Sequence, residues 1–174
     1  MGLALPKAER VLVADGRHYA VECGVRRDGT SPAWEFLQAL ASGTWEETLD
    51  EDAPDEQVAD YDMFLEFCRR LAEAGLPPGL GQYNYLRDGI WEFKRATKRL
   101  TWYDTPGDGT HTPKPKLTDS SESRYPSTPE WAFPDFDEYI RLGHAFPKVS
   151  QKTADIDLDE AERVRGEDLE HDSN

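Results

Sequence analysis

The sequence predicts an α+β fold: a central antiparallel sheet with two N-terminal helices and a C-terminal helix. Three observations carry that expectation. Residues 90–95 and 98–103 read as facing strands whose apolar residues fall on one side. Residues 32–40 and 54–72 carry apolar positions at helical spacing. Residues 155–164 repeat that spacing through Leu158, Ala161 and Val164. Strands gathered in one run after two helices argue for an antiparallel sheet with helices on one face.

Each element has its own signal. Val11-Leu12-Val13 is a short β-type run that ends at the turn pair Asp15-Gly16. Tyr19, Val21, Cys23 and Val25 alternate with Ala20, Glu22 and Gly24, as in a strand. Ser31-Pro32 is an N-cap followed by proline at the first helical position, and Trp34, Leu37 and Leu40 follow. A second, longer helix begins near Pro54. Its stripe is Val58, Tyr61, Phe64 or Leu65, Cys68, Leu71 and Ala72, stopped by Gly75 and Pro77-Pro78. Residues 43–56 read as a polar loop, and residues 105–134, rich in Pro, Gly, Ser and Thr, as a long surface insertion. Residues 137–144 look like a late strand with Ile140 and Leu142 inward and Tyr139 and Arg141 outward. The chain is expected to form one domain, 1–174, with a core over about 19–165 and a frayed acidic tail at 166–174.

Composition narrows the function. The 174 residues carry a formal charge of −15, which disfavours general nucleic-acid binding by the chain as a whole. The charge is polarised. Residues 46–62 hold nine acids and no Lys or Arg, residues 155–172 hold nine acids against Arg163 and Arg165, and residues 87–116 hold seven basic residues against four acidic ones. Taken alone, each acidic block reads as solvated surface. Cys23 and Cys68 are far apart and read as buried thiols in a reducing compartment. No long apolar run spans a membrane, and the stretch Met1 to Pro6 is too short for a signal peptide, so a cytoplasmic location is expected.

The strand pair carries the candidate chemistry. A tight turn at Ala96-Thr97 pairs Phe93 with Leu100 and Trp91 with Trp102. The opposite side then sets Lys94 across from Arg99, Glu92 across from Thr101 and Ile90 across from Tyr103, and a one-residue slip would mix the faces. Like charges opposed on a sheet are unfavourable unless an anion sits over them. Arg95, Lys98, Arg141, Lys148 and Lys152 can extend the patch, and Tyr103 and Tyr139 offer rings for stacking bases. Such groups hold phosphate and stabilise developing charge, and a lysine crowded by cations can transfer protons. No cluster at metal-ligand spacing is present, so no metal or other cofactor is expected. His144 shares parity with Ile140 and Leu142 and reads as a packed histidine. P-loop, GxGxxG, nucleophile-elbow and HExxH motifs do not occur.

Leu86-Arg87-Asp88-Gly89-Ile90-Trp91-Glu92-Phe93-Lys94, Lys98-Arg99-Leu100-Thr101-Trp102-Tyr103 and the stretch from Leu142 through His144, Phe146, Lys148 and Lys152 to Thr153 resemble, in order, three blocks of the phage-associated, HigB-like branch of the RelE/ParE toxin superfamily. Gly29-Thr30-Ser31-Pro32, leading to Phe36, Leu37 and Leu40, resembles the start of that family's first helix. The resemblance implies a RelE-like fold and a toxin of a toxin–antitoxin system. It also implies a metal-independent mRNA endonuclease acting at the ribosome, and a cognate antitoxin, often a helix-turn-helix protein. By position it makes Lys94, Arg99, Lys148 and Lys152 the catalytic candidates, with Arg95, Lys98, Tyr103, Tyr139 and Arg141 as RNA contacts. The chain departs from the family in being longer and acidic, with Val149 and Ala154 where the family has Lys and Pro. A catalytically inactive binding protein on the same fold is the alternative, and a ParE-like gyrase poison a third reading.

Overall fold

The structure is a computed structural model that describes residues 8–47, 53–75, 79, 81–122, 133–150 and 152–173. The first residues through Lys7, the acidic stretch 48–52, the Pro77-Pro78 stop, residues 123–132 of the expected insertion, Gln151 and Asn174 lie outside these.

Two short strands, β1 (Leu12–Asp15) and β2 (Ala20–Cys23), open the chain. Helix α1 (Pro32–Ala41) starts as its sequence demands: the Ser31 Oγ accepts the Trp34 N–H at 3.2 Å, and Pro32 occupies the first turn. Helix α2 (Pro54–Ala74) ends at Gly75, whose φ of 69° is the left-handed conformation that closes a helix. Its buried face differs from the expected one. Gln57 and Asp60 turn inward with Phe64, Phe67, Cys68, Leu71 and Ala72, whereas Val58 is exposed. The polar pair is satisfied there: Gln57 exchanges two hydrogen bonds with the Trp45 backbone, and Asp60 binds two cations of the sheet.

Strands β3 (Tyr83–Arg87), β4 (Ile90–Arg95), β5 (Lys98–Thr105) and β6 (Tyr139–Pro147) form a meander, and helix α3 (Asp155–Asp172) ends the fold. The six strands form one sheet in the order β1-β2-β6-β5-β4-β3. The β4–β5 register is the expected one, with Trp91↔Trp102, Phe93↔Leu100 and Lys94↔Arg99.

Four expectations need correction. The sheet is mixed, because β2 runs parallel to β6. The chain between them passes through two helices and three strands, so no hairpin forces them antiparallel. Helices cover both sides: α1 and α2 share the aromatic core with Trp91, Phe93, Leu100 and Trp102, while α3 lies over Tyr103 and Gly143 on the other side. Residues 166–172 are not frayed; Asp168 and Asp172 are buried at 0% and 4% exposure. The late strand also runs further than expected, to Pro147.

The expected insertion contributes to the core at its far end. Phe133 and Phe136 are buried and stand edge-on to Trp91, with centroids at 5.2 and 5.8 Å. Among the described residues no helix is long and apolar enough to cross a membrane.

Candidate functional site

The turn between β4 and β5 brings the cations together. Lys94 and Arg99 are directly opposed across the two strands. Lys148 follows β6, and its N–H donates to the Thr97 carbonyl at 2.8 Å, which ties the strand end to the turn. The three side chains line a shallow depression of about 480 Å³ with Ala96, Thr97, Val149 and Ser150. Arg99 is held in place by its own hairpin: Nη1 donates to the Ala96 and Lys98 carbonyls at 2.8 and 2.9 Å.

Beneath them lies Glu92, fully buried on the same face. The Arg99 Nε stands 3.9 Å from its Oε2, and neither carboxylate oxygen has a hydrogen bond of ordinary geometry among the described residues. Burial pushes the Glu92 pKa above the ordinary carboxylate value; Arg99, Lys148 and Lys94 pull it back part of the way. Burial also lowers the Lys148 pKa. Glu92 opposes that, and Arg99 and Lys94 add to it. The Arg99 pKa is lowered by burial, against Glu92. The cluster thus combines an anchored arginine, Lys94 opposite it, a lysine that gives up its proton more readily than usual, and a buried acid. Such a set can hold a phosphodiester, offset charge building on its oxygens and move a proton.

The remaining expected site residues are elsewhere. Lys152 is exposed and lies outside the depression; its carbonyl accepts from Ser150 Oγ at 2.7 Å. Arg95 and Lys98 share the parity of Phe93 and Leu100, so they point to the α2 side. Both bind Asp60 at 2.8 Å, and Lys98 is fully buried, 5.9 Å from the centre of the Trp45 ring. Tyr139 is half-buried, close against Gly107.

Tyr103 and Arg141 do lie on the Lys94–Arg99 face, but α3 covers them, so the expected solvent-facing surface stops short of Arg141. The Tyr103 hydroxyl donates to Asp168 at 2.7 Å. Arg141 bridges Glu22 at 2.9 Å, Asp168 at 3.1 Å and, in its shortest contact, Asp172. Burial disfavours the Arg141 charge, but Asp168, Asp172, Tyr103 and Glu22 more than offset it and raise the pKa. Arg10 completes the network on Asp168 and Asp172 at 2.8 and 3.0 Å. His144 is half-buried rather than in the core: the irregularity in β6 puts Ala145, not His144, on the side of Ile140 and Leu142, and His144 stacks on Phe146 with centroids 5.2 Å apart and with Nε2 3.0 Å from Asp157 of α3.

Sequence reading missed Asp60, Asp168 and Asp172 as partners. For the last two a signal existed: Ala161, Val164, Asp168 and Asp172 recur at helical spacing and form one stripe. No protein-family model matches the sequence, and no curated protein matches it either.

Proposed function

We propose that this chain is the toxin of a toxin–antitoxin system, a RelE-like, metal-independent endoribonuclease that cuts translated mRNA at the ribosome. The observation that supports it is the convergence of Lys94, Arg99 and Lys148 over buried Glu92 at the open end of the sheet. In this reading Lys94 and Arg99 hold the non-bridging oxygens of the scissile phosphate. The neighbouring 2′-hydroxyl passes its proton to solvent water as its oxygen attacks phosphorus. The bond to the 5′-oxygen breaks, leaving a 2′,3′-cyclic phosphate, and the departing oxygen takes up a proton. Lys148, whose pKa is lowered, is the group suited to that donation. Lys152, outside the depression, is assigned to the flanking RNA backbone.

Induced expression is expected to stop growth and to leave mRNA fragments with 5′-hydroxyl ends. Lys94→Ala or Arg99→Ala each lowers cleavage by about a hundredfold, the usual loss for one charge-stabilising group, and the pair relieves growth arrest. Intact transcripts and undisturbed translation under wild-type expression would remove this reading. A specific observation favours the second reading, a binding protein without nuclease activity: Arg95, Lys98, Tyr103 and Arg141 are all engaged by acids of the chain itself. It predicts that the purified protein, with or without ribosomes, returns RNA uncut. DNA damage without mRNA cleavage would point to the gyrase reading.

A further inference from the structure

Helix α3 is held to the sheet in an unusual way. Of its 18 residues only Ala161 and Val164 are buried apolar side chains. Leu158 and Leu169 are half-buried, and much of the remaining attachment is ionic. Besides the Arg10 and Arg141 contacts, Glu160 binds Arg26 at 2.6 Å, Glu170 binds Arg27 at 2.9 Å, and Asp159 and Glu162 bind Arg87 at 2.8 and 3.0 Å. Asp157 meets His144, and Glu167 accepts the Arg27 N–H. Five arginines from separate parts of the chain therefore converge on one helix. Tyr103 and the Val25 N–H donate to the same Asp168.

We propose that α3 occupies, as an internal polyanion, a second binding surface for single-stranded RNA, and that RNA competes with it for those arginines. Arginine is the residue suited to phosphate as well as carboxylate, through the same planar fork. Uncovered, Arg10 and Arg141 would be left beside an aromatic ring with few counter-charges, and such a face needs an anion. The face is continuous with the depression, because Tyr103 and Arg141 lie on the same sheet surface as Lys94 and Arg99. At about 1.5 Å per residue α3 covers about 27 Å, enough for a run of four or more unpaired nucleotides. An extended strand with bases free to stack on Tyr103 fits this narrow face better than a duplex does. The outer pairs on Arg27 and Arg87 are partly exposed, hence weak and screened by salt, and they are where competition starts. This concerns binding and stands whether or not the depression cuts RNA.

The test uses the full-length protein and a fluorescent, 2′-O-methylated single strand of about 12 nucleotides, which cannot be cleaved by 2′-hydroxyl attack. Glu160→Gln/Glu162→Gln/Glu170→Gln should tighten binding about tenfold at moderate salt and steepen the salt dependence. The charge-matched control Asp55→Asn/Asp62→Asn/Glu66→Gln on α2 should change it less than about twofold. Saturating RNA should also speed amide exchange along α3 in the wild-type protein, a measurement that needs no variant. Equal tightening in the control, unchanged α3 exchange with RNA bound, or a duplex of the same length binding as tightly as the single strand would each overturn the proposal.

Discussion

Asp104 shows how burial sets a single side chain against the fold. It is 1% exposed, and one carboxylate oxygen has no hydrogen bond among the described residues. Burial raises its pKa from 3.8 to about 6, with the Asp137 carboxylate adding to the rise and the Asp137 N–H and Lys114 opposing it. A raised carboxyl pKa means that the folded chain holds the proton more tightly than the unfolded chain does. Stability from this group is therefore full below about pH 4 and falls as pH rises through about 6. Asp104→Asn removes that loss. In urea denaturation the variant should gain on the wild type between pH 4 and 7, by up to about 3 kcal/mol; a pH-independent difference would contradict the assignment. Arg141 is the opposite case, a buried charge with three carboxylates around it. Arg141→Met leaves Glu22 without this partner and should cost about 3–5 kcal/mol in the same assay.

The β4–β5 hairpin shows which local structure can be read from residues and which cannot. Its turn is Ala96-Thr97, and Ala96 sits at φ 51°, where a Cβ is unfavourable. Ala96→Gly should therefore stabilise the protein by about 0.5–1 kcal/mol, seen as a higher melting temperature; a lower one would mean that glycine's chain entropy outweighs the relief. The register around this turn was legible because Trp91, Phe93, Leu100 and Trp102 can face the core together in only one pairing. The turn Asp88-Gly89, with both φ values positive, is a strong hairpin signal, and it marks β3, which went unassigned because Leu86 and Arg87 break the alternation that Tyr83, Asn84 and Tyr85 begin. The parallel β2–β6 pair was not legible, since it joins residues more than a hundred apart with no turn between them. The site was legible in part for the same reason. Strand parity set Lys94, Arg99 and Glu92 on one face and Arg95 and Lys98 on the other, but only the tertiary fold shows that Asp60 of α2 meets Lys98 and that α3 covers Arg141.

The formal charge of −15 is a poor guide to the potential at any one place on this molecule. Much of the C-terminal acid is spent on the arginines under α3, and Asp60 is spent on Arg95 and Lys98, so the depression at Lys94, Arg99 and Lys148 keeps its cations next to a single buried acid. The long segment after β5 is likewise not an appendage. It leaves along the sheet end, where the Trp91 Nε1 donates to the Lys114 carbonyl at 3.3 Å and a Cβ on Gly89 would meet Pro113 at 2.8 Å. At its far end Phe133 and Phe136 pack against the stacked rings of Trp91 and Trp102 on the α2 side. A surface insertion can be emptied of its aromatics at little cost; a segment that completes the core cannot. Phe133, at 1% exposure, contacts Tyr83, Trp91, Trp102 and Phe136. Phe133→Ala should lower unfolding stability by about 3–5 kcal/mol, the range for a buried ring replaced by a cavity. A loss below about 1 kcal/mol, the size of an ordinary surface change, would return residues 105–134 to the status of a loop laid over a finished fold.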